Sequence, residues 1–430
     1  MPRPFRLRAR GDLSEDARLI EALLFLYPAT LLAFGLAIEG FDLGAVARGL
    51  AVIVREPDTL INDYVAHAGL GAPFVNAGLC SLAAFALIRA LGAVVSGPAI
   101  AAVLTIAGFA LFGKNVYNIW PGMIGIWLFS RLVRRPFAEF LIVALFGTAL
   151  SPLVSEVTFG LGLPPALGLV LGPAAGMLAG FCLPSLAKHL LQLHQGYNLY
   201  NIGLTAGLVG TAVMSLFRAF GIKVDGGGAW STGNREVYLP FLLGLFGSMI
   251  AFGLAMGPSI RSGLRGILSS SGRLVSDFVR SYGIGPTLVN MGLVGLVGSA
   301  YILAVGGDWN GPTIGGLFTM VGFAAFGKHP LNIAPVMAGV AATALVSTYS
   351  PAAQGPILAA LFGTTLAPLA GRFGPLAGFA AGALHLTVVS NVGYLHGGLN
   401  LYNNGFSGGL VAAILVPLFE ALRERRRHGR

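Results

Sequence analysis

The pattern His-x-Gly-x-Asn-Leu-Tyr-Asn-x-Gly occurs twice in this chain. It stands first as His194, Gly196, Asn198, Tyr200, Asn201 and Gly203, and again as His396, Gly398, Asn400, Tyr402, Asn403 and Gly405. Glycine and asparagine interrupt helices. Inside a bilayer the backbone groups so freed need partners from protein or from a water-filled cavity. An asparagine side chain, with two donors and an acceptor, can repair such a break and also face a solute. A second duplicated pattern, Phe-Gly-Lys-x-x-x-Asn-Ile-x-Pro, supplies Lys114 and Asn118, then Lys328 and Asn332, before Pro121 and Pro335. Proline suits the first turn of a helix, so the apolar stretches that follow start near these asparagines. A lysine at that place faces water or a partner, or else snorkels from a helix end. The third pair is Asp63 and Asp277, each before an aromatic residue and upstream of Asn76 and Asn290. Its two readings are a helix cap and an ion ligand.

These residues sit in an apolar chain. Of 430 residues, 55% are apolar and 10% charged, against about 25% charged in soluble domains. That excludes an ordinary soluble enzyme, a disordered chain and a nucleic-acid binder. The formal charge of +10 is concentrated at the ends, in Arg3, Arg6, Arg8 and Arg10 and in Arg423, Arg425, Arg426, Arg427 and Arg430, and in a few loops. This is the pattern of membrane topology. The 63 glycines fall mainly in apolar stretches, where small residues let helices approach closely. Cys80 and Cys182 lack metal-ligand spacing and read as packing residues. The apolar run from Leu19 to Ala37 reads as a first membrane helix, because no small-residue cleavage site follows it.

The repetition extends well beyond the two polar patterns. LLAFGLA near residue 31 returns as MIAFGLA near 249, and LINDYVAHAGLGAPFVNAGL (60–79) as LVSDFVRSYGIGPTLVNMGL (274–293). LFGTALSPL (145–153) returns as LFGTTLAPL (361–369), and GPAAGMLAG (172–180) as GPLAGFAAG (374–382). Six blocks recur in order at offsets of 202 to 218 residues. The chain therefore reads as one membrane repeat over 1–221, a linker over 222–237 and a second repeat over 238–430. The fold class is all-α and polytopic.

At about 20 residues per span, each copy offers five candidates. They lie near 19–39, 70–92, 96–113, 137–158 and 164–191, and near 238–257, 284–305, 311–327, 354–370 and 374–394. Shorter apolar segments of 15–20 residues open near Asn118, Asn198, Asn332 and Asn400. They read as half-helices or short spans, which gives 10 to 14 spans in all. Five and seven are both odd, so the second copy enters from the opposite side. Both termini are then expected in the cytoplasm, on the side of Arg261, Arg265, Arg273 and Arg280. Arg131, Arg134 and Arg135 argue against this, since they would fall on the far side. The stretches 44–66 and 259–281 read equally as helices lying in the interface and as connecting loops.

GLGAPFVNAGL and GIGPTLVNMGL resemble the pore-helix segment that opens each half of urea transporters. PGMIGIWL and GLTAGLVG are similar to small-residue stretches of that family. The resemblance implies two inverted copies of five spans around one pore. It does not extend to urea itself, because Ala72 and Pro286 stand near the positions of that family's pore glutamine and glutamate. The whole chain, with its duplicated Asn-Leu-Tyr-Asn block, also looks like an uncharacterised family of duplicated bacterial and archaeal membrane proteins without assigned activity.

The expected function is a channel or facilitator for a small polar solute, in the inner cell membrane, with its path between two inverted repeats. The alternative is an ion- or proton-coupled secondary transporter. The pathway residues are expected to be His194, Asn198, Tyr200, Asn201, His396, Asn400, Tyr402 and Asn403, with Lys114, Asn118, Lys328, Asn332, Asn76 and Asn290. Asp63 and Asp277 are expected to serve structure or an ion. Glu139, Glu156, Lys188, His189 and His385 lack counterparts in the other copy and form no constellation. No nucleophile elbow, metalloprotease helix or phosphate loop is present. No enzymatic activity, cofactor, metal or nucleic acid is expected. The partners are lipid, the solute and, compatibly, further copies of the chain.

Overall fold

The computed structural model describes residues 15–224, 228–257 and 259–428, so Arg3, Arg6, Arg8, Arg10 and Arg430 lie outside it. The first repeat runs α1 (Glu15–Ile38), α2 (Leu43–Arg55), α3 (Tyr64–Ala68), α4 (Ala72–Ala90), α5 (Gly97–Phe109), α6 (Ile119–Leu132), α7 (Leu141–Gly147), α8 (Ser151–Ser155), α9 (Pro165–Leu193) and α10 (Asn201–Ala219). The second follows with α11 (Arg235–Ala255), α12 (Ile260–Ser269), α13 (Phe278–Tyr282), α14 (Ile284–Val305), α15 (Gly311–Phe323), α16 (Pro330–Val346), α17 (Gln354–Gly363), α18 (Ala367–Phe373), α19 (Pro375–Val392) and α20 (Asn403–His428). The protein is an all-helical membrane protein of two inverted repeats.

Ten helical stretches among the described residues are long and apolar enough to cross a membrane. They fall five to a repeat: α1, α4, the broken stretch Phe137–Gly160 that contains α7 and α8, α9 and α10, and their counterparts. Leu169, Val170 and Leu178 of α9 and Leu376 and Phe379 of α19 are exposed. In water such a surface would aggregate; in a bilayer it is solvated by lipid chains.

The number of spans per repeat agrees with the sequence reading, but their identities differ. Residues 96–113 and 311–327 were expected to cross; instead each forms a 13-residue helix, α5 or α15. The chain turns just before Lys114 and Lys328, where Gly113 adopts φ +158. Conversely, the segments opening near Asn198 and Asn400 form the uninterrupted helices α10 and α20, of 19 and 26 residues, which are long and apolar enough to cross.

α5 and α6 form a hairpin. Asn76, on the second turn of α4, reaches the carbonyls of Ala110 and Lys114. α5 therefore starts beside the end of α4 and climbs almost to its beginning. α6 is about 21 Å long at 1.5 Å per residue, too long to continue outward. Its course is fixed against the third span: Tyr117 Oη lies 3.1 Å from Thr158 Oγ1, and Phe129 packs edge-on against Phe140 at 5.6 Å. α6 thus returns to the face from which α5 came. Each repeat crosses an odd number of times, and the outer ends of α1 and α20 share one face, called here the terminal face.

This hairpin removes the objection raised by one arginine cluster. Arg131, Arg134 and Arg135, expected on the far side, lie at the end of α6 on the terminal face. They join Arg89, Arg261, Arg265, Arg280, Arg372, Arg423 and Arg425 there, while Arg48, Arg55, Arg218, Lys223 and Arg235 take the far face. The stretches 44–66 and 259–281 each contain a helix, α2 and α12. Asp42 caps α2 by accepting from the amides of Gly44 and Ala45 at 2.8 and 3.0 Å. Those two hydrogen bonds hold its carboxyl below the usual carboxylate range.

Candidate functional site between the repeats

The two repeats are tied by reciprocal bonds. Lys114 Nζ donates to Tyr402 Oη at 2.6 Å, and Lys328 Nζ to Tyr200 Oη at 2.5 Å and Thr364 Oγ1 at 2.7 Å. Asp63 accepts from the Gly311 amide at the start of α15 at 3.1 Å, and Asp277 from the Gly97 amide at the start of α5 at 3.2 Å. Leu60 N donates to Gly398 O, and Leu274 N to Gly196 O, each at 3.1 Å. Each bond between the repeats is matched by its counterpart with the repeats exchanged, which is the signature of a two-fold axis; Lys328–Thr364 lies within the second repeat. The two lysines are therefore related by rotation and not by translation.

The axis passes where small residues allow contact. A Cβ built on Gly203 would lie 2.9 Å from Gly405 Cα, and one on Gly405 2.9 Å from Gly203 Cα. Likewise a Cβ on Gly108 of α5 would lie 2.7 Å from Gly315 O of α15. Four helix ends consequently converge at the centre: the N-termini of α10 and α20 and the C-termini of α5 and α15.

Most of the duplicated asparagines repair the breaks. Asn76 Nδ2 donates to Ala110 O at 2.7 Å and Lys114 O at 2.8 Å, and Asn290 Nδ2 to Ala324 O at 2.9 Å and Lys328 O at 2.8 Å. Asn118 and Asn332 bond the carbonyls of Gly113 and Gly327 at 3.1 and 2.9 Å. Asn198 donates to Gly405 O at 2.9 Å and accepts from Thr365 Oγ1 at 2.6 Å, while Asn400 donates to Gly203 O at 3.3 Å. His194 Nε2 donates to Asn201 Oδ1 at 2.9 Å, and His396 Nε2 to Asn403 Oδ1 at 3.0 Å. The Asn198 amide, 3.2 Å from His194 Nδ1, fixes that ring as the neutral Nε2–H tautomer.

A cavity of about 240 Å³ lies at this junction. Thr105, Phe109, Tyr200 and Leu199 line it together with their counterparts Thr319, Phe323, Tyr402 and Leu401. Asn201 and Asn404 are also in the wall, as are the counterparts Phe146 and Phe362. Of the expected pathway residues, the wall takes Tyr200, Asn201 and Tyr402. The lysines stand behind the tyrosines. His194, His396, Asn198, Asn400, Asn403, Asn118, Asn332, Asn76 and Asn290 lie in the surrounding framework. Asp63 and Asp277 sit at helix starts, as caps.

The cavity breaks the two-fold symmetry. Pro98, Ile142, Val143, Leu191 and Val275 line its mouth, all on the terminal face, and Val275 is 90% exposed. Their counterparts toward the far face include Pro312, Leu358 and Ala359, which are buried and outside the wall. The same repeat thus packs open on one side and closed on the other.

Asp58 escaped the sequence reading. It is fully buried and accepts from Tyr64 Oη at 2.5 Å, Ser155 Oγ at 2.7 Å, Asn118 Nδ2 at 2.9 Å and Asn115 Nδ2 at 3.0 Å. Its backbone has φ +62, where the counterpart Gly272 has φ +69. An aspartate held in glycine's conformation costs about 1 kcal/mol. A search for matched residues could not find it; the mismatch between Asp58 and Gly272 was the available signal. Among residues without counterparts, Glu139 pairs with Arg135, and His385 donates to the wall residue Asn404 at 2.9 Å.

Fold and site together define a class: a polytopic inverted-repeat membrane protein whose broken helices meet around a central cavity. Within that class the chain belongs to the family described as "Protein of unknown function (DUF1576)", which it matches twice, over residues 44–219 and 257–421. No curated protein and no solved structure matches the chain.

Proposed function

We propose that this protein is a facilitator for a small polar solute. The solute enters the cavity between the repeats and leaves by the opposite face once the repeats exchange conformations. The observation that carries this reading is the one-sided cavity, built from matching residues of two inverted repeats. When inverted repeats pack differently, swapping their two arrangements moves the opening across the membrane. The arginines gathered on the terminal face support cytoplasmic termini, so the described opening is inward. The solute undergoes no chemistry on this path.

The test is uptake into proteoliposomes of urea, glycerol, neutral amides and short carboxylates. The reading requires at least one to enter faster than into empty liposomes, with saturation. Its failure is a panel that never exceeds the lipid background.

Coupled transport is the second reading, favoured by Asp58, a buried carboxylate that one repeat has and the other lacks. Under this reading Asp58→Asn removes uptake driven by an ion gradient but preserves exchange across equal concentrations. An ionophore separates the two readings, since it abolishes concentrative uptake only in the coupled case.

A further inference from the structure

The wall of the cavity holds neither a carboxylate nor a basic side chain. Just behind it stand two lysines, both fully buried. Among the described residues, no carboxylate lies within ion-pair distance of either ammonium. Each ammonium is backed onto two rings of the wall. Lys114 Nζ is 4.7 Å from the centre of Tyr402 and 5.1 Å from that of Phe109; Lys328 Nζ is 4.5 Å from Tyr200 and 5.3 Å from Phe323. A buried lysine is costly as a cation at membrane depth until an anion pairs with it. The N-termini of α10 and α20, spans of 19 and 26 residues, add positive ends at Gly203 and Gly405 of the same wall.

Resting on the transport reading above, we propose that the solute is a small organic anion, a monocarboxylate with an apolar body no larger than about a benzene ring. The charge of the solute supplies the missing counter-ion. A tyrosine oxygen that accepts from an ammonium keeps its own hydrogen to donate, so Tyr200 and Tyr402 relay the lysine charge to a carboxylate. Because the Lys–Tyr pair is duplicated about the axis, a solute arriving from either face meets the same contact. The apolar part of the wall selects the body. Phe109, Phe323, Phe146 and Phe362 offer rings and no donors, so an inorganic anion would lose hydration without replacement. A cavity of about 150 Å³ holds benzene, and the one here is about 240 Å³. A cation or a neutral solute would bring neither lysine a counter-ion.

The experiment compares equilibrium binding of radiolabelled benzoate and its neutral isostere benzamide to the full chain in lipid nanodiscs. Benzoate is expected to bind at least tenfold tighter, and Lys114→Met or Lys328→Met to weaken benzoate tenfold or more while changing benzamide less than twofold. Uptake of benzenesulfonate, which keeps its charge and does not leak through lipid as a free acid, is expected in proteoliposomes of the unaltered protein. Equal affinity for benzoate and benzamide overturns the inference even if both variants fail to fold. Undiminished benzoate binding by folded variants overturns it as well. If urea or glycerol enters while benzenesulfonate does not, the anion assignment falls and the transport reading stands; if nothing binds or enters, both fall.

Discussion

Asparagine does most of the repair at the centre of this molecule. Asn76 serves two carbonyls, those of Ala110 and Lys114, at a depth where water is scarce. Replacing it by leucine keeps the bulk and leaves two acceptors unsatisfied, at about 1–3 kcal/mol each. Asn76→Leu and Asn290→Leu are therefore expected to lower the melting temperature in detergent and to cut the monodisperse yield; an unchanged melting curve would show that those carbonyls find other partners. Asn201 is different, since it bridges His194 and Ala187 O and also stands in the wall. Asn201→Leu is expected to combine lost transport with a smaller loss of stability, read from the same two measurements. The types of these side chains were legible in the sequence because duplication marks them. Which ones face the cavity was not: Asn198 and Asn201 are three residues apart in one pattern, and only the course of the backbone sends one to Gly405 and the other to the wall.

At the level of elements, the crossing of α10 and α20 rests on the absence of side chains. Gly203→Ala places a methyl 2.9 Å from Gly405 Cα and 2.9 Å from Tyr402 Cβ, and backbone cannot step aside as a flexible side chain does. Overpacking of this kind costs about 1–3 kcal/mol. We expect Gly203→Ala and Gly405→Ala each to lower thermal stability, and the double variant to fall short of additivity because one displacement accommodates both methyls; full additivity would place the two glycines in separate contacts. Ile142 of α7 and Leu358 of α17 are counterparts on opposite sides of the cavity. A cysteine at Ile142, in the cavity mouth, is expected to react with a membrane-impermeant thiol reagent from the terminal face. One at Leu358, 4% exposed, is expected to stay protected until solute exchange opens the far face. Labelling of position 358 from the terminal face would contradict the inverted arrangement of these two elements.

For the whole molecule, the order of spans fixes which loops share a face. Cysteines at Arg134 and Arg265 are expected to be labelled only after the cytoplasmic side is made accessible, and one at Lys223 from outside intact cells. The reverse result would invert the assignment, and a split between Arg134 and Arg265 would break the α5–α6 hairpin. The sequence by itself determined that the chain lives in a membrane, that it is two copies of one unit and that the copies are inverted. Composition and repetition are properties of the chain that no packing can alter, and the count of five or seven spans per copy is odd either way. It also marked Lys114, Lys328, Tyr200 and Tyr402 as special. Only the tertiary structure decided that each lysine reaches across to the tyrosine of the other repeat, 288 and 128 residues away, because long-range partners leave no trace in local spacing. It likewise decided that the helix in 96–113 stops after 13 residues while the one after Asn198 continues for 19. Hydropathy favours the wrong one, since α5 is the more apolar of the two, and the difference lies in where Asn76 receives the freed carbonyls. The asymmetry of the cavity belongs to the fold alone: two nearly identical sequences can pack in two ways, and only the assembled repeats show which one is open.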